Sequence, residues 1–114
     1  SQHKSLLVTQ GRVEIEENTD DQVQLDVSLK GDKLIFGFKT LAKKLATREM
    51  AIAEFKAMAA LSPPGDFSPH SVRITKAERT FNDFFGRPKV PGPKIRFNDA
   101  GCYHLLRLIK NQLG

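Results

Sequence analysis

The chain has no tryptophan, one tyrosine and one cysteine in 114 residues. A lone thiol, Cys102, excludes an internal disulfide framework and any zinc site built on several cysteines, and it fits a reducing compartment. No apolar run approaches the roughly 20 residues that a membrane-spanning helix needs. Residues 1–5 contain no apolar segment of the kind found in a secretory leader. The expectation is a cytoplasmic protein, or a nuclear one in a eukaryote. The three histidines, His3, His70 and His104, are scattered without metal-ligand spacing. A Gly-rich phosphate loop, a Gly-x-Ser-x-Gly turn and a Cys-x-x-Cys pair are all missing, so no enzyme, metal or cofactor is expected.

What remains is a chain of ordinary globular composition, 39% hydrophobic and 27% charged, of a length that suits a single domain over residues 1–114. Its net charge of +5 is unevenly distributed. Residues 1–29 hold Lys4 and Arg12 against Glu14, Glu16, Glu17, Asp20, Asp21 and Asp26, a net of −4, whereas the rest of the chain nets +9.

Alternation predicts strands over residues 6–17, 23–29 and 34–38, with Gly31-Asp32 as a tight hairpin turn of the Gly-first kind. Three strands with short links make an antiparallel meander. Residues 40–61, rich in Ala and Leu and free of Gly and Pro, read as one long helix with a possible restart at Thr47. Two opposed apolar sides predict that this helix is buried between other elements, although Arg48 falls on one of them. Residues 62–69 form a Pro/Gly loop, and residues 71–75 a short fourth strand. Thr75 and Glu78 then suggest a capping box for a helix whose stripe is Ala77, Phe81, Phe84 and Phe85. Gly86 is placed to end that helix, residues 94–97 make a fifth strand, and Asn98 or Asp99 caps a last helix. Its stripe is Cys102, Leu105, Leu106, Ile109 and Leu113. Phe-Asn-Asp occurs at 81–83 and again at 97–99, and reads as coincidence rather than a repeat. The result is an α+β domain of order β-β-β-α-β-α-β-α, a meander extended to a mixed sheet with helices packed on it.

That order is similar to ribonuclease-H-like domains, in topology only. The resemblance implies metal-binding carboxylates on the first strand (Glu14, Glu16), on the helix after the meander (Glu49, Glu54) and at the end of the fourth strand. The last is missing: Ile74-Thr75-Lys76 holds no acid, and Lys76 repels a metal. His70 beside Arg73, Lys76 and Arg79 composes a metal-free phosphodiesterase site on paper, the basis of a third reading as a nuclease or toxin. Residues 38–57 resemble a helix-turn-helix mask, but the would-be recognition helix offers almost nothing to read bases or phosphates. Gly86-Arg87-Pro88-Lys89 is similar to the core of an AT-hook, with Phe85 where a full hook has a second arginine.

Density of charge is the stronger signal. Between residues 73 and 96 stand Arg73, Lys76, Arg79, Arg87, Lys89, Lys94 and Arg96 against Glu78 and Asp83, a net of +5. Such a tract, partly on a Pro/Gly connection, suits phosphate contacts without sequence reading. The expectation is a non-enzymatic module that binds DNA or RNA through these seven residues. The alternative is a protein-interaction or homo-oligomerisation module, in which the acidic meander of one copy meets the basic tract of another.

Overall fold

The structure is a computed structural model and describes residues 3–6, 13–15, 23–61, 76–87 and 91–113. Nine elements follow in order: β1 (His3–Ser5), β2 (Val13–Ile15), β3 (Gln24–Lys30), β4 (Lys33–Lys39), β5 (Lys44–Ala51), α1 (Ile52–Ala59), α2 (Lys76–Gly86), β6 (Ile95–Phe97) and α3 (Asp99–Leu113). The fold is α+β. A four-stranded sheet has the order β1-β3-β4-β5, and a second ribbon pairs β2 with β6. Every strand pairing among the described residues is antiparallel, so no mixed sheet is formed among them.

The hairpin β3–β4 forms as its alternation requires. Leu25, Val27, Leu34, Phe36 and Phe38 are buried, and Leu29 is partly so. Gly31 adopts φ 63°, and it alone among the described residues has positive φ. A Gly-first two-residue turn needs this conformation, which a Cβ would disfavour.

The expected helix over residues 40–61 is the main correction. Only Ile52–Ala59 is helical, and Lys44–Ala51 is a strand paired along β4. Thr40 organises the turn that joins them: its Oγ1 accepts from the Ala42 and Lys43 amides, both at 3.2 Å, and its own amide donates to the Lys43 carbonyl at 2.8 Å. Leu41, assigned to the core by the helical reading, is 93% exposed in this turn. Along β5, Arg48 and Met50 are buried while Thr47, Glu49 and Ala51 are exposed, a period of two. Thr47 is therefore a strand residue and not a helix cap. Helix propensity is a weak prior, worth a few tenths of a kcal/mol per residue, and a ladder on an apolar face outweighs it. Strand passes straight into helix at Ala51, where no side chain caps α1. The Ile52 amide instead donates to the Asp32 carbonyl of the β3–β4 turn at 2.8 Å.

The predicted first strand, residues 6–17, is also divided. Its part at Val13–Ile15 pairs with β6, and the residue that opens it, Leu6, follows β1, which pairs with β3. The fourth strand expected at residues 71–75 lies outside the described residues. The order β-β-β-α-β-α-β-α is thus only partly realised.

The second half follows its predicted stripes. Ala77, Phe81 and Phe85 of α2 are fully buried, with Phe84 at the margin. Ile95 and Phe97 of β6 face inward, as do Cys102, Leu105, Leu106 and Ile109 of α3. Asn98 caps α3, its Oδ1 accepting from the Gly101 amide at 2.7 Å. The two Phe-Asn-Asp copies meet. Asn82 Oδ1 accepts from the Phe97 amide at 2.9 Å, and Asn82 Nδ2 donates to the Phe97 carbonyl at 3.2 Å.

Phe36, Phe38, Phe55, Phe81 and Leu105 are buried in one core, and Ile52 is partly buried against them. Phe55→Ala is expected to cost about 3–5 kcal/mol in denaturant unfolding, because the ring is fully enclosed. Asn82→Ala is expected to cost about 1–3 kcal/mol by the same measurement, since it leaves both polar groups of the Phe97 peptide without their partner.

Candidate nucleic-acid interface

Five of the seven basic residues of the tract are described, and all five are exposed: Lys76, Arg79, Arg87, Lys94 and Arg96. Arg73 and Lys89 lie outside the described residues. Lys76, Arg79, Asp83 and Arg87 succeed one another at three- and four-residue steps, so α2 presents them along one solvent side while Ala77, Phe81 and Phe85 occupy the other. Lys94 and Arg96 stand on or beside β6, which is locked to α2 through the Asn82–Phe97 bonds. The register places Arg96 opposite Glu14, so one base of the tract sits across from an acid.

The other candidates are rearranged by the fold. Of the two carboxylates that the ribonuclease-H-like order placed on one helix, Glu49 lies on β5 and only Glu54 on α1. The stretch 38–57 runs from β4 through β5 into α1, so it holds no helix-turn-helix. Among the described residues no cluster of His, Cys, Asp and Glu has the grouping to hold a metal, and no helix is long and apolar enough to cross a membrane. Cys102 is fully buried, its Sγ 3.8 Å from the Glu78 carbonyl oxygen, an environment for an inert thiol. His104 is exposed on α3, and His70 lies outside the described residues. Of the proposed capping box, Thr75 is likewise outside, while Glu78 is buried rather than on the helix surface.

A groove of about 960 Å³ opens between β5, α1 and α2. Its walls include Met58, Leu61 and Phe84, and its charged groups are Arg48 and Arg87 against Glu49, Glu54 and Asp83. Arg48 is only 8% exposed. Its Nη2 donates to the Pro93 carbonyl at 3.0 Å and its Nη1 to the Thr47 carbonyl at 3.2 Å. Its Nε is buried without a hydrogen-bond partner among the described residues. Burial lowers the Arg48 pKa, because desolvation disfavours the charged form. Gly92 makes room for this guanidinium: a Cβ there would come within 2.8 Å of Nη2. The signal in the sequence was the arginine on an otherwise apolar stripe, which a β reading turns into an inward-facing strand position.

No family model matches the chain, and neither a curated protein nor a solved structure is significantly similar to it.

Among the described residues the buried guanidinium bonds to two carbonyls and no carboxylate, so its charge is stabilised less than that of a buried ion pair. Arg48→Met is therefore expected to leave stability unchanged or raise it by on the order of 1 kcal/mol in thermal or denaturant unfolding. A loss above about 2 kcal/mol would mean that the two carbonyl bonds outweigh desolvation.

Proposed function

We propose that the protein is a non-enzymatic nucleic-acid-binding module whose contacts are phosphate contacts made by the basic tract. The observation that carries this reading is the exposure of every described base of that tract on two elements that are bonded to each other. Cations on a rigid helix and a neighbouring strand can meet successive phosphates without rearrangement, and each neutralised phosphate releases condensed counterions. Little in this arrangement reads base edges: Lys76, Arg79 and Arg87 lie along the outside of a helix packed flat on the core. Affinity without strong sequence preference follows.

The rival interaction module gains no comparable support. Its acidic meander rests largely on residues outside the described set. The described meander carries Lys30, Lys33, Lys39, Lys43, Lys44 and Arg48 against Asp26, Asp32 and Glu49, with Lys39 and Asp26 paired at 3.2 Å.

Binding of a fluorescent oligonucleotide titrated against salt tests the reading. Lys76→Gln, Arg79→Gln and Arg87→Gln are each expected to flatten the log–log salt slope by about 0.7–0.9 and to weaken different sequences alike. These positions carry no core, so thermal stability should move by less than about 0.5 kcal/mol. A triple variant that binds with the wild-type slope would remove α2 from the interface. Cleavage of DNA or RNA by the purified protein, with or without magnesium, would replace the reading with a nuclease.

A further inference from the structure

The groove beside β5 differs from the basic tract in its charge balance. Among the described residues that line it, two cations face three carboxylates, a balance that disfavours a run of phosphates. Yet its inner wall holds a cation without an opposite charge among the described residues. Buried charges are ordinarily paired, because removing an ion from water costs several kcal/mol unless a counter-charge compensates. Among the described residues Arg48 forms no ion pair, and its bonds go to the Pro93 and Thr47 carbonyls. Those bonds fix the guanidinium in place, a preorganisation that a ligand need not supply itself. The walls beside it are apolar: Met58 is buried, Phe84 partly buried, and Leu61 is 42% exposed. At about 960 Å³ the groove is within the size range of small-molecule sites.

We propose that this groove binds a monoanionic amphipathic ligand, a single carboxylate on an apolar body. The carboxylate supplies the counter-charge missing at Arg48, and the body lies against Met58, Leu61 and Phe84. Glu49, Glu54 and Asp83 then act as a selectivity device: they tolerate one anion seated at Arg48 and oppose a second. The proposal rests on Arg48 and does not require nucleic-acid binding, although Arg87 of the tract also lines the groove.

The same chemistry is offered by a free acyl acid and by the carboxyl terminus of an apolar peptide. The probes are therefore octanoate, octanamide and octylamine, with N-acetyl-Leu-Leu as the free acid and as its amide. The readouts are the dissociation constant, the thermal shift and the NMR resonance of the Arg48 Nε–H. Octanoate is expected to bind, to raise the melting temperature and to move that resonance, with octanamide about ten-fold weaker and octylamine weaker still. The dipeptide acid should likewise exceed its amide, and the tighter of the two acids identifies the natural source. Arg48→Met should abolish the preference for acid over amide while leaving the weak amide binding, because the apolar wall survives. If that variant does not fold, Gly92→Ala takes its place, since its methyl displaces the guanidinium without touching the core. It should weaken octanoate several-fold and leave octanamide unchanged. Equal binding of octanoate and octanamide, a preference that survives Arg48→Met, or no binding of any probe at millimolar concentration would each overturn the proposal.

Discussion

Six phenylalanines without solvent exposure join the sheet to everything that covers it. Phe36 and Phe38 rise from β4, Phe81 and Phe85 descend from α2, Phe97 enters from β6 and Phe55 from α1. Their rings meet mostly edge to face: Phe81–Phe85 at 4.8 Å, Phe36–Phe85 at 5.0 Å, Phe85–Phe97 at 5.3 Å and Phe38–Phe85 at 5.7 Å. Such pairs add about 0.5–1.5 kcal/mol each beyond the area they bury. Phe85 touches two rings from β4, Phe36 and Phe38, and one from β6, Phe97, so α2 cannot shift without disturbing three contacts at once. The basic side chains on the other side of α2 inherit that rigidity.

Where each element's own alternation or stripe decides its structure, the sequence announces it. Leu25 to Leu29, Leu34 to Phe38, the Phe81/Phe85 stripe and the Asn98 cap all form as local chemistry dictates. It misleads where distant pairing decides. Residues 44–51 have the composition of a helix, and only the ladder from Phe38↔Ala46 to Lys33↔Ala51 makes them a strand. Nothing local marks the passage into α1, because neither Gly, Pro nor a capping side chain stands at Ala51. The division of the first predicted strand has the same origin: β1 and β2 are chosen by partners some 25 and 80 positions away. The exposed bases of the tract were legible because charge is read residue by residue. The groove was not, since it exists only once β5 is a strand and faces α2.

Two kinds of positive charge follow from this architecture. Lys76, Arg79 and Arg87 are hydrated, screened by salt and exchangeable in position. Arg48 is desolvated, held by two carbonyls and shaped around a glycine. The first kind suits a polymer whose charges repeat, and the second suits a single partner of fixed geometry.

The bonding of Asn82 to Phe97 has an effect beyond holding α2 in place. A strand residue presents its N–H and C=O to one side, and the outer strand of a small ribbon is a template on which another chain can pair. At Phe97 both groups are already occupied by the amide of Asn82, which imitates the peptide unit of a neighbouring strand. A side chain thus takes the place of a third strand and seals the ribbon at that point. A three-residue ribbon rich in Ile and Phe is the sort of segment that invites cross-chain growth in concentrated solution. Here the helix occupies that edge of β6 at Phe97, so the bond that ties β6 to α2 also denies the position to an incoming strand.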